Sequence, residues 1–274
     1  MMTADSAHPA LVRNNVSVKG EGSRTLVFGH GFGCDQTMWR FLTPYLEEDT
    51  RLVLYDYTGC GGSDVSQFDG ERYADLNGYA RDLIELCDAL KLESVCFVGH
   101  SVSATIGVLA ASKRPDLFSS LVFVCPSPCF LNIPPEYEGG FERADLEELI
   151  NLMDKNHVGW ANYLAPVVMG ETNGEGMVTE LTQSFCSTDP TFLKPFAIAT
   201  FFSDHREDFE RCPVPSLILQ SSTDALASQD VGEYIHTNTP HSQLALIDAI
   251  GHCLHMTHPE KVASEIHRFQ AKLR

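Results

Sequence analysis

Along most of its length the chain alternates between short unbroken apolar runs and longer stretches whose apolar residues recur every three to four positions. The runs at 16–19, 25–28, 51–57, 120–125, 214–220 and 243–247, with another opening at Val95, predict strands. Helical spacing is clearest over 73–90, where Leu76, Tyr79, Ala80, Leu83, Leu86, Cys87 and Leu90 share a face. Further helices are predicted at 37–46, directly after Ser101, at 228–237 and at 259–272. Strands rich in Val, Leu and Phe between amphipathic helices predict an α/β fold, a mostly parallel central sheet with helices on both faces.

The rhythm stops after Cys125. Breakers at Pro134-Pro135 and Gly139-Gly140 precede helix-like segments at 144–156, 159–169, 177–185 and 191–202, and the alternation then resumes. The expectation is one core, 1–125 with 207–274, interrupted by a helical insertion over 126–206. No internal repeat or low-complexity tract is present.

Composition narrows the partners. A chain of 274 residues with 43% hydrophobic content can bury one large core. A formal net charge of −18 disfavours nucleic acid and anionic membranes, which are polyanions, and suits neutral or apolar ligands better than phosphorylated ones. No run approaches the roughly 18 apolar residues of a membrane helix. Residues 1–15 are polar, with neither the basic start nor the apolar stretch of a secretory signal. Nine cysteines, scattered without a C-x-x-C pair, predict a reducing, cytoplasmic setting.

The chemistry centres on Gly99-His100-Ser101-Val102-Ser103, a tight turn between the strand from Val95 and an Ala- and Val-rich helix. A turn of this kind strains the serine backbone so that its hydroxyl stands clear of the sheet, and it requires small residues two places either side. Gly99 meets that need fully, and Ser103 stands where glycine is usual. A serine hydroxyl needs a base within reach and a group that orients the base. Asp224 directly follows the strand at 214–220, and His252 directly follows that at 243–247. Both fall at carboxyl ends of strands, on the edge that carries Ser101, where open α/β sheets keep their sites. The rival acids are weaker: Asp230 falls inside a helix and Asp248 is too close in sequence to His252. His255 and His258 lie near His252 without a second ligand group at zinc-like spacing, so no metal is expected. The glycines at 29, 31, 33 and at 59, 61, 62 match neither a dinucleotide fingerprint nor a P-loop, and no cofactor is expected. Oxyanion donors are assigned to the backbone N–H groups of Val102 and Phe32, the latter in Gly29-His30-Gly31-Phe32-Gly33. His30 itself reads as structural.

On these motifs, with Ser127-Pro128-Cys129-Phe130-Leu131-Asn132, Gly139-Gly140-Phe141, Phe202-Ser203-Asp204-His205-Arg206 and Val214-Pro215-Ser216 onward, the chain resembles a known group. It is similar to α/β hydrolases related to the bacterial stress regulator RsbQ and to the plant karrikin and strigolactone receptors. The resemblance implies a lid of four helices, built by the insertion, over a deep apolar pocket. Pocket-lining positions would be Phe32, Phe130, Phe141, Leu164, Phe185 and Phe201, with Val102 at the floor; Leu164 stands where related receptors carry phenylalanine. It implies a serine hydrolase cleaving a small hydrophobic ester or lactone, a butenolide or strigolactone-like ligand among them. The alternative it implies is a ligand sensor that signals through a protein partner, with slow hydrolysis incidental.

Overall fold

The computed structural model of the protein describes residues 8–48, 50–170 and 172–273. The expectation for residues 1–15 therefore lies outside the described residues over 1–7. A short helix α1 (Pro9–Arg13) leads into strands β1 (Ser17–Lys19), β2 (Arg24–Gly29) and β3 (Thr50–Leu54), followed by helix α2 (Leu76–Ala89). Strand β4 (Val95–His100), helix α3 (Val102–Lys113) and strand β5 (Phe118–Val124) complete the first part of the core. Four consecutive helices come next: α4 (Arg143–Lys155), α5 (His157–Met169), α6 (Glu175–Ser187) and α7 (Pro190–Phe201). The chain then returns through α8 (Arg206–Glu210), β6 (Ser216–Thr223), α9 (Gln229–Asn238), β7 (Ser242–Ile250), α10 (Leu254–Thr257) and α11 (Pro259–Lys272).

The strands form one seven-stranded sheet in the order β1-β3-β2-β4-β5-β6-β7. Only the edge strand β1 runs antiparallel, pairing Ser17 with Leu54; every other pair is parallel. The central strands explain the sequence pattern, since all six residues of β4 are buried. A strand covered on both faces has no polar side to show. Helix α3 is buried from Val102 to Ala111, packed among the sheet, α2 and α8, which is why its composition is apolar all round. By contrast α2 presents one buried stripe and a solvated face, and starts where Asp75 accepts the Asn77 N–H.

Several predicted elements differ from those formed, among them the strand expected at 214–220, which runs Ser216–Thr223. The helix expected at 37–46 is two tight 3₁₀ turns, Gln36–Phe41 and Thr43–Tyr45. Pro44 carries no N–H and falls where an α-helix would need one. The strand expected at 51–57 ends at Leu54, because the next donors leave the sheet: Asp56 N–H donates to the Asn14 carbonyl and Tyr57 N–H to His30 Nε2. The strand expected to stop at Ile247 continues to Ile250, held by the pairing of Thr223 with Ile250 beyond an irregular step in β6. The short helices α1, α8 and α10 carry too few turns to leave a periodic signal.

Candidate active site

Strand β4 delivers the chain to Ser101 at φ 55° and ψ −121°, a left-handed conformation that L-residues avoid. Two contacts hold it there. The Ser101 N–H donates to the Val124 carbonyl at 2.9 Å, and the Ser101 carbonyl accepts the Ala104 N–H of the first turn of α3 at 2.9 Å. Glycine is required at position 99, because a Cβ there would approach the Ser103 carbonyl carbon and oxygen to 2.6 and 2.7 Å. Backbone strain of this kind persists only where the surroundings over-determine it, and it marks functional turns.

Asp224 follows β6 and His252 lies two residues beyond β7. Their side chains meet at 2.7 Å between Asp224 Oδ2 and His252 Nδ1, both fully or almost fully buried. The other carboxylate oxygen accepts the N–H groups of Leu226 at 2.9 Å and Ala227 at 3.2 Å, so the acid is fixed from both sides. The His252 backbone is equally tied. Its N–H donates to the Val168 carbonyl of α5 at 2.8 Å, and its carbonyl accepts His100 Nε2 at 2.9 Å. Nδ1 is thereby committed, and Nε2 has no hydrogen-bond partner among the described residues, Ser101 included. Both Ser101 and His252 line the same cavity, of about 640 Å³. The rival acids Asp230 and Asp248 are exposed.

The neighbouring imidazoles do other work. His255 is sandwiched between Trp39 and His100, with ring centroids 4.5 and 4.4 Å apart. Burial, reinforced by His252, pushes its pKa down to about 3. Burial likewise holds His100 well below the ordinary imidazole range, with His255 and His252 adding to the effect. Cys125 brings its Sγ within 4.8 Å of ligand atoms on Asp224 and His252. That trio does not suit a metal ion, because the Asp224 and His252 atoms are bonded directly to each other at 2.7 Å. Burial pushes the Cys125 thiol up, with Asp224 adding to it, so it is a protonated, inert neighbour.

All six positions assigned to the pocket line this cavity: Phe32, Phe130, Phe141, Leu164, Phe185 and Phe201. Edge-on contacts of Phe201 with Phe32 and Phe130, at 5.2 and 5.1 Å between centroids, build one wall. Val102, which the resemblance places at the floor of the pocket, lies elsewhere. Its side chain is buried in the core and does not line the cavity. As the first residue of α3 it offers its N–H, one of the donors a helix start leaves unused. Neither that N–H nor the Phe32 N–H donates to a protein acceptor among the described residues. Sequence reasoning missed Tyr163 and Val167 on α5 and Leu149 and Leu152 on α4, which also line the cavity. It also missed His100 as the group that holds the His252 carbonyl; no local pattern signals a contact across 152 residues.

The chain belongs to the alpha/beta hydrolase family, whose pattern it matches over residues 26–265. It is 40% identical over 246 residues to the karrikin insensitive 2 receptor IA of Petunia hybrida, covering 89% of each chain. With a strigolactone esterase of Arabidopsis thaliana it shares 33% identity over 264 residues, 96% of this chain and 98% of the other. Within the family it thus falls in the group that holds the karrikin and strigolactone receptors. Among solved structures, a hydrolase from Oleispira antarctica is 51% identical, with a TM-score of 0.93 over 95% of this chain and 96% of that one.

Proposed function

We propose that the protein is a serine hydrolase of small hydrophobic esters or lactones, with Ser101 as nucleophile, His252 as base and Asp224 as the group that orients the base. The observation that carries this reading is a buried His252–Asp224 pair whose remaining nitrogen and a strained serine share one apolar cavity. Ser101 Oγ attacks the carbonyl carbon as His252 Nε2 takes its proton. The tetrahedral oxyanion is received by the N–H groups of Phe32 and Val102. His252 then protonates the leaving oxygen, and water repeats the sequence on the acyl-enzyme. Asp224 keeps the imidazole in the tautomer with Nε2 free and stabilises its cation. The chemistry needs no cofactor or metal.

The insertion over 126–206 serves in this reading as a four-helix lid, and its aromatic and aliphatic lining selects apolar substrates, butenolide-type lactones among them. The cytoplasm is the compartment proposed, where nine unpaired cysteines stay reduced. No helix among the described residues is long and apolar enough to cross a membrane.

Hydrolysis of p-nitrophenyl acetate and of a fluorogenic butenolide tests the assignment. Ser101→Ala is expected to abolish turnover, and Asp224→Asn to lower kcat on the order of 10⁴-fold by presenting the wrong tautomer. Retained turnover in Ser101→Ala would remove Ser101 from the mechanism. A second reading is favoured by the receptor relative at 40% identity: ligand sensing with signalling to a protein partner and slow incidental hydrolysis. Ligand-dependent capture of a partner, together with single rather than multiple turnover, would favour the sensor.

A further inference from the structure

We propose that Ser103, two places after the nucleophile and standing where glycine is usual, is a positioning residue that holds the oxyanion loop through its hydroxyl. The inference rests on the serine-hydrolase reading and concerns how the Phe32 N–H is aimed. Ser103 is completely buried, and its Oγ donates to the His30 carbonyl at 2.5 Å. A hydroxyl has one proton, and that carbonyl can only accept. The second contact of Ser103 Oγ, at 2.6 Å from Tyr57 Oη, therefore has the tyrosine as donor. Tyr57 also gives its backbone N–H to His30 Nε2 at 3.1 Å. With Nε2 accepting, the proton of the ring sits on Nδ1, which donates to the Gly31 carbonyl at 2.9 Å.

Two successive peptides of the loop are thus gripped, His30–Gly31 by Ser103 and Gly31–Phe32 by the His30 ring. A peptide is planar and trans, so fixing the Gly31 carbonyl fixes the Phe32 N–H on the opposite edge. The grip is purpose-built in space as well. A Cβ at Gly29 would come within 2.6 Å of Tyr57 Oη and 2.9 Å of Ser103 Oγ, so the bare glycine at the end of β2 makes room for it. Glycine at 103 would satisfy the close approach of strand and helix equally well, yet would leave the His30 carbonyl and the Tyr57 hydroxyl buried without this partner. Buried polar groups left unpaired are costly.

The test compares wild type with Ser103→Ala and Ser103→Gly, using p-nitrophenyl acetate kinetics, inhibition by phenylboronic acid and amide hydrogen exchange. Loss of about one buried hydrogen bond corresponds to a fall in kcat of about 5- to 10-fold, with KM within about twofold. The boronic acid, whose adduct places an oxygen where the oxyanion forms, should weaken by the same factor in both variants. Exchange should quicken in the peptide spanning residues 29–34 and stay unchanged across α3 and the remainder of the sheet. Unchanged kcat and unchanged loop exchange in both variants would overturn the proposal. So would a uniform rise in exchange with equal losses in kcat and melting temperature, since that is what a purely structural residue gives. A wild type inert towards every ester sinks the hydrolase reading instead, and the exchange arm alone then decides whether Ser103 holds the loop.

Discussion

Three imidazoles stand in a row, His252 and His100 lining the cavity and His255 beyond them, and each is used differently. His252 is wired through Nδ1 to Asp224, with Nε2 left for chemistry. His100 acts through the His252 carbonyl. His255 makes no hydrogen bond through either nitrogen among the described residues and is held only by ring packing. Its folded pKa, about 3 against an ordinary 6.5, makes stability depend on pH. Between those values the unfolded chain binds the proton and the folded protein does not, so stability is full above pH 6.5 and falls as the pH drops. The slope is about 1.4 kcal/mol per pH unit for this one residue. His30 and His100, also held down by burial, steepen it. His255→Phe, which removes no hydrogen bond, is expected to leave stability at pH 7.5 within about 1.5 kcal/mol of wild type. It should flatten the acid limb in urea titrations between pH 6.5 and 4.5. An unaltered limb would show that His255 is protonated in the folded state.

At the scale of elements, two devices hold the site's supports. One is an ion pair network on α2: Asp82, completely buried, meets Arg13 of α1 at 3.1 Å and Arg72 at 2.6 Å, and accepts from Tyr73 and Thr58. Both arginines also reach Glu85. Replacing Asp82 with Ala would leave two cations beside a buried gap, and a loss of about 3–5 kcal/mol is expected in chemical denaturation. A loss under 1 kcal/mol would mean that water already shares the network. The other device is α5, which lines the cavity through Leu164 and holds the His252 N–H through the Val168 carbonyl. Leu164→Phe adds a ring inside the cavity while leaving that backbone bond alone. It should raise KM for a two-ring butenolide ester at least several-fold and leave p-nitrophenyl acetate turnover within about twofold. Equal effects on both substrates would show that α5 governs the histidine rather than the space.

For the molecule as a whole, what was legible in the sequence was what repeats locally. The mostly parallel sheet and its helix cover follow from apolar runs such as those of β4, buried throughout, and β5, buried at all but Ser119, whereas the order of the strands left no local mark. α11 falls on its predicted residues, 259–272, because a proline start and one apolar stripe define it without help from elsewhere. Candidate site residues were legible where chemistry demands a type and a place, as with a serine in a tight turn and an acid and a histidine after successive strands. Contacts set by partners far along the chain left no such trace. Ser103 reaches a carbonyl 73 residues away and His100 one 152 residues away. The chain leaves the sheet after Leu54 because Asn14 and His30 claim the N–H groups of Asp56 and Tyr57. Val102 was misplaced for a related reason: its position after the serine was evident, but which way its side chain turns is decided by the packing of α3.

Whether Ser101 is a nucleophile activated by the His252–Asp224 pair is decided by intact-protein mass spectrometry after exposure to a fluorophosphonate. A single covalent adduct is expected, placed on Ser101 by peptide mapping, absent from Ser101→Ala and formed far more slowly in His252→Ala. No adduct on the wild type, or one that persists unchanged in Ser101→Ala, would contradict that role for Ser101.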